Sequence, residues 1–544
     1  MRTLLVIPPY RTADALVADL YPMPLGAVIL GTILKERGHS VVVKDFLVPA
    51  QKYKTPRPAS FKGRGGPPYL HYGQLMDDCK QWLVDNHERF DAVGLFLGQC
   101  NIYETGFELG WFIKHNLEMP LVVGGPFATT APDVVMANTE ADILVRGEGE
   151  LVVVDAFTKA IARHKAGIGG AVMEGMPVYN MDLDIPVPDW SLAPPSNYPK
   201  VNGKVRGVLA VSRGCPHACR FCSVHTVHGK RHVRMSRARM LTEILNLRQY
   251  NVQRFCFLDD NLFINTDAVK QVCEAVVNAR NVMKRGVTFY NEEGLEVKVA
   301  STPGMVQNIV KAGFTDIALG VESLNAGNLE AMRKPYVKTQ LKAAVKEFER
   351  AGVKAKALYI IGFPDDSLES VCQNLIEFSG FGLLARPNNL KLYPGTEITK
   401  EFISRGWIKP NYDWRLSSFY TPPTGMLMDF VTLKKLKTYL RALGKAAEMG
   451  IKPFTDGKVD IVMRLQAKGY GVRFFDDGSI SIVGNTFRAT HIRYLAEFFI
   501  LRFVACGGAK SEMRTGEVVA WAVKESKDHV QAAFIKALKE VRNG

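Results

Sequence analysis

Two apolar rhythms divide the chain. Over residues 1–165 short, continuous apolar runs alternate with stretches of helical spacing. Residues 4–7, 41–43, 92–97, 121–123 and 143–145 read as five strands. Residues 25–37 read as a helix that stops at Gly38, the residue type favoured just past a helix end. Apolar strands separated by helices predict a parallel sheet covered on both faces, which takes ligands at the carboxyl ends of its strands. Glycines stand after the third, fourth and fifth of these strands, among them Gly124, Gly125 and Gly147, and let a flat ligand lie against the backbone. Residues 46–75 are irregular and read as a lid, a contact between domains or a disordered insertion.

Residues 166–203 are rich in Pro, Gly and Asp and read as a linker. The strand–helix rhythm then resumes, with strands expected at 205–211, 254–258, 287–290 continued by 296–300, 316–321, 355–361 and 389–392. Helical spacing fills the gaps between them, which predicts a six-unit partial barrel whose polar strand ends carry the chemistry. Past residue 400 a cationic amphipathic helix is expected at 433–449, a hairpin at 474–482 around Asp477-Gly478, and helices at 494–504 and 518–541. The expected plan is α/β: a Rossmann-like domain (1–165), a linker (166–203), a partial (β/α)6 barrel (204–399) and a small α+β C-terminal cap (400–544).

A chain of 544 residues, 47% of them apolar, is large enough for several cores, and no apolar run is long enough to span a membrane. Nine cysteines, three of them clustered, point to a reducing, cytoplasmic setting rather than a disulfide framework. The net charge of +15 fits an acidic or nucleic-acid partner or a solubilising surface. The one dense basic run, 230–239, is expected on the rim of a site or on solvated surface.

That run follows the sharpest feature in the chain, Ser212-Arg213-Gly214-Cys215-Pro216-His217-Ala218-Cys219-Arg220-Phe221-Cys222. Three thiolates in one loop select iron–sulfur clusters, zinc or copper(I). Zinc would want a fourth ligand, for which His217, His225 and His228 are at hand. Three ligands around a four-iron cluster would instead leave one iron open to a substrate or cofactor.

C-x3-C-x2-C after a strand, with an aromatic before the last cysteine, resembles the signature of radical S-adenosylmethionine (SAM) enzymes. The resemblance implies that Cys215, Cys219 and Cys222 hold a 4Fe-4S cluster whose open iron chelates SAM, and that Phe221 lies near the adenine. It also implies SAM contacts from Glu322 and Ser323 at the end of the fourth barrel strand. Asp259 and Asp260 either orient the SAM ammonium or serve as loop structure.

The first domain resembles the cobalamin-binding domain that precedes many such barrels. The resemblance rests on Pro24-Leu25-Gly26, Gly38-His39-Ser40-Val41, Val123-Gly124-Gly125-Pro126 and Val145-Arg146-Gly147-Glu148-Gly149-Glu150. It implies cobalamin contacts from Gly124, Gly125, Gly147 and Glu148. The D-x-H-x-x-G motif that supplies a histidine to cobalt elsewhere is absent after the first strand, so the lower face is left to Tyr10, Arg11, Gln99, Cys100, Asn101 or Tyr103.

Together the two resemblances imply a cobalamin-dependent radical SAM methyltransferase. A 5′-deoxyadenosyl radical would take a hydrogen from an unactivated carbon, which would then receive the methyl group of methylcobalamin. An external electron donor is required, and the substrate is expected to be a peptide or protein side chain ahead of a small molecule. A cobalamin-dependent cyclase or oxidoreductase is the rival within the family. A metal-bearing nucleic-acid-binding protein is the rival outside it, although no basic–aromatic recognition motif supports that reading. A methylthiotransferase would need a second cysteine cluster, which the tail lacks.

Overall fold

The computed structural model describes residues 1–12 and 23–417, apart from 57, 60–68, 285, 292, 335, 337, 365 and 382, together with three strands beyond them. In the first part the strands are Arg2–Ile7 (β1), Tyr10–Thr12 (β2), Ser40–Asp45 (β3), Lys52–Lys54 (β4), Leu70–Tyr72 (β5), Ala92–Phe96 (β6), Leu121–Gly124 (β7), Ile143–Arg146 (β8) and Ala171–Glu174 (β9). Six of them form a wholly parallel sheet in the order β3-β1-β6-β7-β8-β9. The apolar runs of β1, β6, β7 and β8 are buried because helices such as Leu25–Glu36 and Val153–Lys165 cover the sheet.

The sheet runs past residue 165. Its sixth strand, β9, lies in the stretch read as a linker, and its alternating burial is that of an edge strand. The rest of that stretch is anchored: Met181, Ile185 and Trp190 are buried in one core with Val28 and Ile29 of the first domain and Val208 and Leu209 of the barrel. The irregular stretch 46–75 also holds structure, since β4 and β5 join β2 in a small antiparallel sheet.

The barrel strands are Arg206–Leu209 (β10), Arg254–Phe257 (β13), Thr288–Asn291 (β14), Ala318–Glu322 (β15), Lys356–Ile361 (β16) and Leu384–Asn389 (β17); between the first two lies a short antiparallel pair, Ser212–Arg213 (β11) and Val233–Arg234 (β12). The six form two parallel triplets, β10-β13-β14 and β15-β16-β17, joined by an isolated bridge between Leu295 and Leu319. Two expected strands are corrected. Residues 297–300 form a helical turn, because Val297, Val299 and Ala300 are all buried and four residues cannot distinguish a period of two from one of 3.6. The sixth strand is Leu384–Asn389 rather than 389–392; its Arg-Pro-Asn-Asn reads as a turn, yet an edge strand tolerates Pro387.

Tyr470–Phe474 (β18) and Ile480–Gly484 (β19) pair as the expected hairpin, with the turn at Asp477-Gly478 outside the described residues. Val518–Ala520 (β20) pairs with β19, which corrects the helix expected to begin there; the two adjacent valines favour the strand. The helices expected at 433–449 and 494–504 lie outside the described residues.

The carboxyl ends of the two large sheets face each other. Leu97, Cys100 and Phe127 share one apolar cluster with Phe363, Leu390 and Leu392, and the Cys100 thiol donates to the Leu392 carbonyl at 3.8 Å. Among the described residues no helix is long and apolar enough to cross a membrane.

Candidate functional site

The end of β13 builds the cysteine loop. Asp259 is buried, and its Oδ1 accepts from the Val211 amide at 3.0 Å, the Ser212 hydroxyl at 2.6 Å and the Ser212 amide. Asp260 Oδ2 accepts from the Gly214 amide at 2.8 Å, and Asn261 Nδ2 donates to Cys215 Sγ at 3.6 Å. Gly214 has φ +80°, and a Cβ there would stand 2.4 Å from the Arg231 carbonyl oxygen. Pairing of β11 with β12 closes the loop behind the cysteines. Three consecutive strand-end residues therefore hold the entry, the turn and the first thiol.

The Oδ1 of Asp259 is thus committed to the loop. Asp259→Ala leaves buried N–H groups unpaired, each at a cost of about 1–3 kcal/mol. The expected result is a lower melting temperature of the iron-free protein and poor iron loading, whereas Asp259→Asn, which keeps the Oδ1 acceptor, retains both. Burial raises the Asp259 carboxyl from 3.8 to about 7, against the hydrogen bonds from Ser212 and Val211. A folded-state pKa above the unfolded one means that its contribution to stability is full below pH about 4 and is lost as pH rises through about 7. Melts of Asp259→Asn lack that decline.

Cys215, Cys219 and Cys222 are free, half-exposed thiols. Burial raises the Cys219 and Cys222 thiols, the latter to about 12, and neighbouring cysteines push both further in the same direction. Thiols so close yet so weakly acidic become thiolates only against a cation. Among the described residues no three His, Cys, Asp or Glu side chains close on a single ion. His217 Nε2 meets Glu296 Oε1 at 2.7 Å, and the same oxygen accepts from Asn261 Nδ2 at 2.6 Å.

Glu322 sits at a register shift in β15 with φ +63°, an unusual backbone for a side-chain-bearing residue. Lys334 Nζ donates to its Oε1 at 2.7 Å. Burial works to lower the Lys334 ammonium, but Glu322, with Cys219 and Glu296 nearby, holds it above its ordinary value. Ser323 is fully buried, and its Oγ accepts from the Asn325 amide, so it shapes the loop after β15. Phe221 stacks edge-on against Phe363 at 6.0 Å, just past β16. Glu296 and Lys334 were not picked out from the sequence: the first sat in a presumed strand, and the second is an unremarkable lysine until the fold sets it beside Glu322.

In the first domain a cavity of about 250 Å³ opens between β1, β6, β7, β8 and the helices Leu25–Glu36 and Val153–Lys165. Its walls are apolar side chains such as Leu5, Leu30, Val145 and Phe157, and glycines 26, 94, 124, 125, 147 and 149. A Cβ at Gly94 would crowd Leu5 and Phe157 at 2.8 Å, whereas at Gly124 it would meet only the Val145 carbonyl oxygen, at 4.0 Å, and at Gly147 nothing within 4 Å. These glycines leave a slot that side chains would fill, which fits an apolar, flat ligand group such as a cobalamin base. Gly124, Gly125, Gly147 and Glu148 line it.

Tyr10, Gln99 and Asn101 do not line the slot. Tyr10 is a buried β2 residue whose phenol burial pushes up. Gln99 Oε1 and Asn101 Oδ1 both accept from Lys391 Nζ, at 2.6 and 3.1 Å. Those contacts cross from the end of β6 to the residues just past β17 and join the facing sheet ends. The basic run 230–239 is neither rim nor free surface alone, since Arg231 binds Glu148 and Arg239 binds Glu243.

Residues 209–375 match the family model described as the radical SAM superfamily, so the chain carries a radical SAM domain. It is 27% identical over 468 residues to an uncharacterized methyltransferase of Pyrococcus horikoshii, covering 81% of this chain and 91% of that one. Two solved structures share the fold, each at 14% identity. The cobalamin-dependent SAM radical enzyme OxsB, with aqua-cobalamin and SAM bound, superposes with a TM-score of 0.58 over 100% of this chain and 84% of that one. The radical SAM methyltransferase TsrM of Kitasatospora setae, with tryptophan and a SAM analogue bound, gives 0.56 over 74% and 76%.

Proposed function

We propose that the protein is a cobalamin-dependent radical SAM C-methyltransferase acting on a small-molecule substrate held between the facing sheet ends. The observation that carries this reading is the pairing, in one chain, of a three-thiol loop at one sheet end with a glycine-lined slot in the other sheet. The methyltransferase relative from Pyrococcus horikoshii supports it across nearly its whole length. The tryptophan held by TsrM supports a small molecule over a peptide side chain.

Cys215, Cys219 and Cys222 would hold the cluster, and the slot with Gly124, Gly125 and Gly147 would hold the cobalamin. When bound, these groups and SAM supply a carbon-centred radical and a methyl group. The chain's own residues do the rest. Asp259, Asp260 and Asn261 fix the loop. Glu322 and Lys334 present a buried charge pair beside Cys219 for the polar end of SAM, and Phe221 offers a ring face for its adenine. The apolar cluster around Leu97, Phe363 and Leu392 limits water between the sheet ends. The eight described cysteines are all free thiols, which suits a reducing cytoplasm and an external electron donor.

Anaerobic reconstitution followed by turnover with candidate substrates tests the reading. One added methyl unit per product molecule is the expected mass change. A product formed without a mass gain of one methyl, by ring closure or oxidation, would falsify methyl transfer while keeping the radical chemistry. Failure to take up a corrinoid would remove the cobalamin part.

A further inference from the structure

The slot and the cysteine loop share a wall. Glu148, Glu150, Arg213, Val227 and His228 all line the slot, yet the last three belong to the cysteine segment. Arg213 immediately precedes Gly214 of the loop. It is nearly buried, and its guanidinium reaches across to the first domain, with Nη2 2.7 Å from Glu150 Oε1 and Nη1 3.7 Å from Glu148 Oε1. His228 Nδ1 lies 2.7 Å from Glu148 Oε1, and its other nitrogen stands 3.8 Å from Asp260 Oδ2, the oxygen that holds the Gly214 amide. Arg231 binds the second Glu148 oxygen, and that oxygen also accepts from the Val178 amide at 2.5 Å. Burial works to raise the Glu148 carboxyl, but His228, Val178 and Arg213 hold it below the usual carboxylate range.

Every one of these groups is partnered, and the partners sit on opposite sides of the domain boundary. A ligand in the slot therefore lies against His228, which also meets Asp260, the residue that holds the Gly214 amide. Arg213 cannot move toward the barrel without leaving the Glu150 carboxylate without its ion-pair partner, whereas Glu148 keeps His228 and Arg231.

We infer that Arg213, with Glu148, Glu150 and His228, couples occupation of the glycine-lined slot to the placement of the cysteine loop. Arg213 is a positioning residue: it touches neither the reacting atoms nor the thiols. The inference rests on the reading that cobalamin takes the slot. Coupling of this kind is reciprocal, so loading the loop with iron changes the affinity of the slot by the same factor by which the slot's occupant changes the loop.

The test uses the full chain, with and without an anaerobically reconstituted cluster, and hydroxocobalamin as the probe in equilibrium dialysis. In the wild type the two forms are expected to differ in cobalamin affinity by about fivefold or more. In Arg213→Gln the two affinities become equal, whatever their absolute value. If Arg213→Gln fails to load iron, Glu150→Gln, which keeps the arginine, gives the same readout. Equal affinities in the wild type, or an undiminished ratio in both variants, overturn the coupling alone. No cobalamin uptake by the wild type overturns the functional reading and the coupling with it.

Discussion

Cys219→Ala abolishes iron loading and SAM cleavage while leaving the fold intact. Alanine is small and apolar, Cys219 is only half-buried, and the loop around it is held from outside by Asp259, Asp260 and the β11–β12 pair. The thiol is therefore not needed for the loop to close. It is needed as one of three ligands, and losing one of three leaves a cluster too weakly held to survive. Iron falls to background after reconstitution, and so does 5′-deoxyadenosine released under a strong reductant. His217→Ala is the control. Its ring is committed to Glu296, so iron loading survives, with an effect of at most a few-fold. The opposite pattern, metal lost from His217→Ala with zinc as that metal, would sink the cluster assignment.

Gly124→Phe removes cobalamin binding and spares SAM cleavage. A Cβ at Gly124 meets only the Val145 carbonyl oxygen, at 4.0 Å, and points into the slot, so a phenyl ring occupies the space the ligand needs without forcing the backbone. Cobalamin affinity is expected to drop by at least about a hundredfold, about 2.7 kcal/mol. Neighbouring Gly125 is no substitute: its φ is +111°, and a Cβ there would stand 2.4 Å from the Leu97 carbonyl oxygen, so any side chain strains the strand end itself. Cobalamin uptake by dialysis and deoxyadenosine release are the two measurements. Unchanged uptake in a folded Gly124→Phe protein rules out the slot as the cobalamin site.

Much of this plan was legible in order and spacing. Strands β1, β6, β7 and β8 are continuous apolar runs, and burial on both faces of a parallel sheet leaves that signature. The C-x3-C-x2-C loop was legible because metal ligands must be local and chemically special. The misreadings share one cause. β17 reads Leu-Ala-Arg-Pro-Asn-Asn, and its strand state comes only from lying at the edge of β16. β9 is likewise an edge strand flanked by glycines, and residues 297–300 are too few for a period to show. Where a segment's own preference is weak, the neighbour it pairs with decides.

The linear order of residues determined the parallel sheet, the six-strand barrel, the thiol triple and the run of glycines at strand ends, since each is written in local periodicity or in a short motif. Tertiary structure alone decided that Asp259 Oδ1 holds the loop, that Lys334 stands beside Glu322 and Cys219, that Gln99 and Asn101 meet Lys391, and that Arg213 bridges to Glu148 and Glu150. Those roles depend on charges brought together from distant parts of the chain. A charged side chain takes its meaning from the partner that burial forces on it, and no spacing rule names that partner in advance.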